Sequence, residues 1–424
     1  MNPRMNPRVK SRVSTHILLT ARGVRTNDRQ AHSYNATMTI HTYDIAVVGG
    51  GLLGKTSALA LAQSGLRVAL LASPAPAATP HGYDSRVYAF SSSSQALLEQ
   101  LRVWPALDPA RLTPVFDMRV FGDALAQLHF SAFQAAVPQL AWIVESGLVE
   151  RALDAALGFQ PNLTWIAQRA QALEVDAKAA TLTLDNGARL QARLVVGADG
   201  AHSWVRSQTE AQVKQRDYRQ TGVVANFRAA VPHGETAYQW FSRGEIIALL
   251  PMPDQHVSLV WSAESAHAQA LLALEPVQLA AQVEQAVGGK LGALECVTPA
   301  RGFALVLQEV DRLIAPRIAL VGDAAHTIHP LAGQGMNLGM RDVASLVDVV
   351  AQREPFRDPG DLILLRRYER SRRADIQKLV IATDGLHRLF AAPGSMVRGV
   401  RNLGMSLVAS QPLIKRWLVS SALG

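Results

Sequence analysis

The chain has 424 residues, of which 49% are hydrophobic and 18% charged, so it can form a large core and is long enough for two or three domains. A single cysteine, Cys296, excludes an internal disulfide and a cysteine-based metal cluster. The net charge of +8 is concentrated at the ends, because residues 1–41 hold seven basic and one acidic side chain and residues 366–424 hold eleven basic and three acidic ones. A nucleic-acid-binding protein carries basic charge on its folded body, so we expect no nucleic-acid partner.

Residues 1–42 are rich in Arg, Ser, Thr and Asn and contain no long apolar core, which disfavours a secretory signal. We expect a disordered extension that is either an organellar transit peptide or a misassigned start with Met38 as the true initiator, and we favour the second. A transmembrane helix needs about 20 apolar residues. The closest run, residues 124–144, contains His129 and Pro138 and does not predict one.

The first motif is a glycine loop between a short apolar run and a stretch with helical character. The spacing Gly49-x-Gly51-x-x-Gly54 predicts a dinucleotide-binding turn, in which the backbone approaches a pyrophosphate at the start of a helix. The same letters fit a P-loop, where Lys55 would reach phosphates and Thr56 would hold magnesium. The loop alone does not decide between a dinucleotide protein and an NTPase.

Residues 43–71 predict strand, turn, helix and strand, a βαβ unit whose strands are parallel. A dinucleotide site usually has an acidic residue about 20 positions after the loop, where it binds the ribose. Here Ala72 and Ser73 occupy that place. This departure weakens the dinucleotide interpretation, although Ser73 could donate a weaker hydrogen bond.

Two later apolar strands also end in glycine loops. A hairpin around residues 185–187 leads into a strand that delivers Asp199 and Gly200. A third strand delivers Asp323, and the glycine-containing stretch 333–337 then enters a helix. Each aspartate could be a simple turn or cap residue, but the repeated pattern favours function. A P-loop enzyme needs two such junctions, whereas a cofactor with a pyrophosphate, a ribityl chain and a flat ring can use all three.

Alternation of apolar and polar residues predicts further strands. It occurs in part of residues 110–144 and again in residues 219–262, and the second region suggests an additional antiparallel sheet. The predicted helices after the first are 94–101, 149–157, 271–287, one that follows residue 337 and runs to about 351, 361–390 and two short ones within 397–423.

This set of motifs resembles the single-component flavin aromatic hydroxylases and is most similar to the ubiquinone-biosynthesis hydroxylases of the UbiH/UbiF type. The matching segments are 48–54, 84–86, 197–203, 320–342 and 401–404. The resemblance runs from Tyr43 to the C-terminus. It implies an α/β fold with a Rossmann-like FAD-binding domain, an inserted β-sheet substrate domain and C-terminal helices, and it makes Lys55 and Thr56 incidental.

The resemblance implies FAD as cofactor and NAD(P)H as co-substrate. The first loop would hold the pyrophosphate, Arg86 would lie beside the cofactor, Asp323 would accept a hydrogen bond from the ribityl chain, and residues 330–337 would wrap the isoalloxazine ring. Asp199 belongs to a motif shared by FAD and NAD(P)H. The implied cofactor-binding residues are Gly49, Gly51, Leu53, Gly54, Arg86, Asp199, Gly200, Asp323, Pro330, Gly333, Gln334, Gly335, Met336 and Asn337.

Physical chemistry agrees with these implied roles. A reduced flavin carries negative charge near N1 and C2, and a helix starting around Gly335 would direct its N–H groups and positive end there. Glycines at 333 and 335 let the backbone approach a flat ring. The oxygen chemistry needs a dry pocket, which the second sheet would supply, while the cofactor carries the redox chemistry.

Neither a metal site nor a catalytic base is predicted. His326 and His329 have a spacing that fits metal ligands on a helix, but the adjacent Pro330 and the loop context disfavour it. No side chain in the second sheet stands out as a general base for a phenol.

From the resemblance we predict an FAD-dependent monooxygenase that hydroxylates the aromatic ring of a polyprenyl phenol or quinol intermediate of ubiquinone biosynthesis. The alternatives are a flavin hydroxylase of another small aromatic compound and a P-loop NTPase, while the absence of a Trp-x-Trp pair disfavours a halogenase. The predicted domains are the extension 1–42, an FAD-binding domain of 43–113, 145–218 and 302–360, a substrate sheet domain of 114–144 and 219–301, and C-terminal helices of 361–424.

The C-terminal region combines an arginine-rich helix with an apolar, basic stretch at 397–423, a composition found in interfacial helices. A polyprenylated substrate would come from a membrane. We therefore expect peripheral membrane or complex association through these helices, in a protein that is cytoplasmic or peripheral on the inner membrane.

Overall fold

The computed structural model describes residues 40–73, 82–122, 127–242, 244–329 and 333–391. The strands are β1 (His41–Val48), β2 (Val68–Leu71), β3 (Val87–Phe90), β4 (Thr113–Val115), β5 (Asp117–Phe121), β6 (Gln127–Ser131), β7 (Ala141–Glu145), β8 (Leu163–Ile166), β9 (Ala170–Val175), β10 (Ala180–Leu184), β11 (Arg189–Gly197), β12 (Val213–Ala229), β13 (Thr236–Ser242), β14 (Glu245–Pro251), β15 (His256–Glu264), β16 (Leu294–Cys296), β17 (Arg301–Val310), β18 (Ile314–Ala315), β19 (Ile318–Leu320) and β20 (His326–Thr327).

The helices connect and cover these strands. They are α1 (Leu52–Gln63), α2 (Ser92–Gln100), α3 (Ala132–Ala135), α4 (Ser146–Gly158), α5 (Trp204–Ser207), α6 (Ser265–Leu272), α7 (Pro276–Ala286), α8 (Gln334–Ala351) and α9 (Leu362–Ala391). Short 3₁₀ turns cover Trp104–Ala106, Pro109–Arg111 and Gly322–Ala324.

The first sheet has the strand order β18-β19-β11-β1-β2-β8, and it is extended by β10, which pairs antiparallel with β11, and by β9, which pairs antiparallel with β10. β1 is parallel to both β2 and β11, and β11 is parallel to β19. The carboxyl ends of β1, β11 and β19 therefore lie at one edge of the sheet, where α/β folds bind their ligands. The three strand-to-loop junctions predicted from the sequence meet at this edge.

Several sequence predictions in this part of the chain are confirmed. β1, α1 and β2 form the expected βαβ unit, with α1 starting at Leu52. β10 and β11 form the expected hairpin, and Gly187 in its turn has a φ of +81°. The long arginine-rich helix is present as α9.

The second sheet has the order β20-β17-β12-β15-β14-β13-β5-β6, with β16 also paired to β12. It is antiparallel as predicted, except that β5 runs parallel to β13. One face packs against α6 and α7 through a buried apolar cluster that includes Val223, Phe227 and Leu259. A small third sheet, β3-β7-β4, lies in the same part of the sequence as β5 and β6.

One predicted helix is wrong. Residues 271–287 were expected to form one continuous helix, but the chain forms α6 and α7 with a break between Leu272 and Pro276. Pro276 cannot continue a helix but suits its first turn, and Glu275 and Gln278 form a capping box there. The apolar periodicity of the sequence continues across the break, so the sequence pattern did not reveal it.

Three predictions fall on residues outside the described ranges. These are the extension that ends at residue 42, of which only residues 40–42 are described, the ring-wrapping role of Pro330, and the helices within 397–423. In the described part of the chain, no helix combines the length and apolar character needed to cross a bilayer. The division into an FAD-binding and a substrate domain stays a prediction, and β12 and β17 both extend across its boundaries.

Candidate cofactor site

The glycine loop leaves open space in front of α1. Gly51 is exposed, and a Cβ placed on it would have no atom of the described residues within 4 Å. Within the described ranges no side chain caps the start of α1, and its first turn has no acidic residue, so its free N–H groups and positive end face this space. Such a helix start is suited to an anionic group such as a pyrophosphate.

The other glycines of the loop permit close packing. Gly49 has a φ of +127°, and a Cβ there would overlap the carbonyl of Ala198 at the end of β11. A Cβ on Gly54 would overlap the carbonyl oxygen of Gly49. These two glycines thus bring α1, the loop and the Asp199 turn together, the use that the dinucleotide interpretation assigns to them.

Lys55 and Thr56 do not face the loop. The Lys55 side chain is fully buried, and its Nζ lies 2.7 Å from Oδ1 of Asp154 on α4. Thr56 Oγ1 donates a 2.7 Å hydrogen bond to the Leu52 carbonyl within α1. Neither side chain is available to a phosphate or a magnesium ion, so the structure disfavours the P-loop alternative.

Leu53 joins the first loop to the third. A Cβ placed on Gly322, which has a φ of +59°, would overlap Cδ1 of Leu53. A Cβ on Gly339 of α8 would also overlap Cδ1 of Leu53 and would lie 3.2 Å from the Gly322 Cα. The Leu53 side chain therefore fills a space that exists because two distant positions are glycine.

Asp323 follows this contact in the 3₁₀ turn Gly322–Ala324. Its side chain is accessible to solvent, but protein surrounds it closely enough that burial raises its pKa, while His326 and Arg86 act in the opposite direction. Arg86 itself is exposed, and Tyr88 lies near both Arg86 and Asp323, with its own pKa raised by burial. A carboxylate in such a recess can accept hydrogen bonds from a polyol chain.

The Asp199 side chain accepts hydrogen bonds from groups that follow it closely in the chain. One oxygen accepts a 2.5 Å hydrogen bond from Ser203 Oγ and the other accepts from the Val205 N–H at 3.0 Å, so it orders the start of α5. Gly200 beside it has a φ of +84°. Arg206 donates to the Ala201 carbonyl at 2.7 Å and to the Ala324 carbonyl at 2.9 Å. These two hydrogen bonds tie the second loop to the third.

The start of α8 lies close to β3. Gly333 is the N-cap with a φ of +66°, its first turn has no acidic residue, and no side chain of the part of the chain that the structure describes caps the helix. A Cβ on Gly333 would lie 3.4 Å from the Ala89 Cβ on β3. Gln334, Gly335 and Met336 are half-buried, which leaves this second helix start accessible.

Asn337 is a structural connector. It is buried, its Oδ1 accepts from the Ser91 N–H at 3.0 Å and from Ser94 Oγ at 2.8 Å, and its Nδ2 donates to the Ala89 carbonyl at 2.8 Å. The side chain thus fixes α8 against β3 and α2 rather than facing the open side of the site.

The structure therefore brings together the predicted residues of all three loops and of the α8 start. Their fit to FAD rests on four observations: the open space at Gly51, two helix starts without side-chain caps, and an accessible aspartate between them. Pro330 lies outside the described residues, and Asp199 and Asn337 act on neighbouring protein groups.

Sequence reasoning missed the polar residues that connect the loops. Arg206 was not singled out, nor were Asp342 on α8 and Arg372 on α9, although both of the last two are buried. A signal existed, because Asp342 lies four residues from Leu338 and Leu346 on the buried stripe of its helix. A charged residue on a buried stripe indicates a specific partner.

Comparisons with known proteins agree with this geometry. A profile of the FAD binding domain family matches residues 42–383. The chain belongs to the FAD binding domain family.

Curated relatives of this family member are ubiquinone-biosynthesis enzymes. It is 38% identical to ubiquinone hydroxylase UbiL of Rhodospirillum rubrum, over 90% of this chain and 89% of that protein. It is 34% identical to the 3-demethoxyubiquinol 3-hydroxylase of Escherichia coli, over 91% and 100%, and 32% identical to the mitochondrial ubiquinone biosynthesis monooxygenase COQ6 of Drosophila melanogaster, over 93% and 92%. The predicted family is confirmed, and the protein is an FAD-dependent monooxygenase.

Solved structures show the same fold. PqsL of Pseudomonas aeruginosa, a probable FAD-dependent monooxygenase, aligns with a TM-score of 0.72 at 22% identity, over 86% of this chain and all of that one. An HpxO variant of Klebsiella pneumoniae complexed with FAD aligns with a TM-score of 0.71 at 18% identity, over 91% and 99%. At these identities the likeness concerns the fold, and it confirms the predicted fold class.

Proposed function

We propose that this FAD-dependent monooxygenase hydroxylates the aromatic ring of a polyprenyl phenol or quinol intermediate in ubiquinone biosynthesis, using NAD(P)H and O2. One oxygen atom enters the ring and the other leaves as water. The observation that carries the proposal is the meeting of three strand-to-loop junctions around one open space, fixed by Leu53 against Gly322 and Gly339. The names of the curated relatives support this substrate class.

The proposed cofactor contacts follow from the geometry. N–H groups at the start of α1, next to Gly51, would bind the pyrophosphate. Asp323 would accept a hydrogen bond from the ribityl chain, with Arg86 beside it. The start of α8 at Gly333 would direct N–H groups at the ring edge that becomes negative on reduction. FAD, when bound, supplies the redox chemistry with O2.

A small apolar patch on the second sheet, on the face opposite α6 and α7, supports an apolar substrate. Val224 and Val260 are opposite each other on β12 and β15, as are Val260 and Ala248 on β15 and β14, so these side chains share the face opposite α6 and α7. All three are half-buried. Phe303 on β17 is 45% exposed, and its ring lies where a Cβ on Gly222 would be.

Polar residues on either side of this patch connect the same face of the sheet to the cofactor site. Gln220, next to Gly222 along the same face, lies 3.3 Å from His329, which precedes the α8 start. Asn226 Nδ2 donates a 2.8 Å hydrogen bond to the Asp84 carbonyl, two residues before Arg86. A ring held on this face would lie between the two segments that reach the cofactor site.

The proposed membrane or complex association concerns the C-terminal end. Arg366, Arg370 and Lys378 are exposed on α9, and Ile381 is 72% exposed. A basic helix face with exposed apolar residues suits an anionic membrane surface. Flotation with anionic liposomes tests this. A full chain that does not float would contradict the association, and equal flotation of the full chain and of a chain lacking residues 397–424 would contradict a role for that segment.

Two measurements test the catalytic proposal. Purified protein should contain FAD and should oxidise NADPH or NADH faster when a short-chain prenyl phenol is added. A deletion strain should accumulate the unhydroxylated quinone precursor and recover when the gene is restored. Substrate-independent NAD(P)H oxidation together with an unchanged quinone profile would contradict the substrate class while leaving the flavin cofactor in place.

A further inference from the structure

Two charged side chains are buried between the last two described helices and the third loop. Asp342 on α8 is fully buried, and Arg372 on α9 is 5% exposed. Both lie on stripes that are otherwise apolar, with Leu338 and Leu346 flanking Asp342 on α8. A buried ion pair is costly to desolvate and is often no more stabilising than apolar residues of the same volume. The role of this ion pair is therefore to be found in the groups that it contacts.

Asp342 binds both ends of the turn that presents Asp323. Its Oδ2 accepts a 3.0 Å hydrogen bond from the Gly322 N–H and lies 2.5 Å from Nε2 of His326. Its Oδ1 accepts a 2.8 Å hydrogen bond from Nε of Arg372. Burial acts to raise the pKa of Asp342, but His326 and Arg372 outweigh it and hold the pKa below its usual value. The carboxylate thus stays charged and holds three donors.

A second contact from α9 reaches the same strand end. The Tyr368 hydroxyl, on a fully buried side chain, donates a 2.7 Å hydrogen bond to the Leu320 carbonyl. α9 therefore holds the backbone on both sides of Val321, directly through Tyr368 and through Asp342 by way of Arg372. Gly322 has a φ of +59° and no side chain, so its orientation depends on such external contacts.

We propose that Asp342 and Arg372 are positioning residues of the cofactor site: Arg372 orients Asp342, and Asp342 fixes the Gly322–His326 turn so that Asp323 faces the ribityl chain of FAD. This inference rests on the proposed role of Asp323. It makes α9 a part of the cofactor site and not only a surface element. Removing the pair should loosen the turn and alter flavin binding even where the protein stays folded.

The test compares two buried arginines of this chain. Arg317 is 8% exposed and donates to Asp358 at 2.9 Å and to the Arg193 carbonyl at 2.8 Å, away from the Gly322 turn. Arg372→Met and Arg317→Met remove the same charge and both should lower the melting temperature. Only Arg372→Met should weaken FAD binding, on the order of tenfold as for lost supporting contacts, and shift the flavin reduction potential. Arg372→Lys should recover part of both.

The outcomes separate the possibilities. Equal FAD dissociation constants and potentials in wild type and Arg372→Met, or equal changes in Arg372→Met and Arg317→Met, would overturn the positioning role. Should Arg372→Met fail to fold, the same comparison is made between Arg372→Lys and Arg317→Lys. A wild-type protein that takes up no FAD would contradict the proposed function itself, which is a different result.

Discussion

Nζ of Lys55 lies 2.7 Å from Oδ1 of Asp154, a partner 99 residues further along the chain. This ion pair decides between the two interpretations of the glycine loop. Lys55 occupies the P-loop lysine position in the sequence, but its side chain is buried and joins α1 to α4 through Asp154. The residues that face the open space are glycines and free N–H groups, as a dinucleotide pyrophosphate requires.

We predict that Lys55→Met leaves FAD binding unchanged, because Lys55 does not contact the site. Unfolding should become easier by about 1–2 kcal/mol, below the usual cost of breaking a buried pair, since Asp154 and Glu150 keep partial access to water. FAD titration and denaturant unfolding measure the two effects. A folded Lys55→Met protein that has lost FAD would show that the lysine binds the cofactor.

A second prediction concerns the space that Leu53 fills. Gly339→Ala should lower stability by about 1–3 kcal/mol and weaken FAD binding, because its Cβ would overlap Leu53 and displace the Gly322 turn. Combining it with Leu53→Ala should recover part of the FAD affinity. The control is Gly385→Ala on α9, where a Cβ would meet no described atom within 4 Å and helix propensity should add up to about 1 kcal/mol. Additive losses in the double variant would refute the direct contact.

A third prediction addresses the missing ribose acid. The Ala72 Cβ faces the glycine loop, since a Cβ on Gly50 would lie 2.6 Å from it. A carboxylate introduced by Ala72→Glu would start beside the predicted adenosine end of the cofactor and could accept the ribose hydroxyls. We expect FAD to bind several-fold more tightly, as one charged hydrogen bond is worth about 1.5–3 kcal/mol before the strain of the longer side chain. Ser73→Glu, at the neighbouring position, serves as the comparison. Weaker FAD binding by Ala72→Glu than by the wild type would show that the ribose lies elsewhere.

A fourth prediction uses the raised pKa of Asp323. Because burial raises its folded pKa above the unfolded value, ionisation destabilises the cofactor-free protein. The penalty is absent below the unfolded pKa, grows as the pH rises through that value, and is complete above the folded pKa. Asp323→Asn should therefore make the cofactor-free protein more stable at neutral pH, and this gain should disappear in acid.

The same variant should bind FAD more weakly, by about 10–100-fold, because a charged hydrogen-bond acceptor is lost. When a residue is retained for function and not for stability, its replacement is expected to raise stability and to weaken FAD binding. Thermal unfolding across pH and FAD titration provide the two measurements. A variant that is less stable at neutral pH and binds FAD normally would contradict the assigned role.

The sequence was sufficient for local structure near the site. The spacing of Gly49, Gly51 and Gly54, the turn at Gly187 and the apolar strands before Asp199 and Asp323 predicted the elements that the structure contains. These features depend on residues close together in the chain. The parallel arrangement followed from the βαβ pattern.

What could not be predicted depends on partners far apart in sequence. The break at Pro276 was concealed by periodicity that continued across it, although its capping residues were visible. The assignment of Asn337 to the ring did not anticipate its hydrogen bonds to β3 and α2, which lie some 240 residues earlier. The roles of Arg206 and Arg372 could be assigned only from the structure, which shows the carbonyl groups and the carboxylate that they bind.

The central claim is that three separated loops form one FAD site, and direct titration tests it most simply. Cofactor-free protein should take up one FAD per chain, seen as quenched flavin fluorescence and a perturbed visible absorption band. Gly51→Val, which fills the open space before α1, should abolish that uptake while the protein stays folded. A colourless wild-type protein that takes up no added FAD would contradict the account.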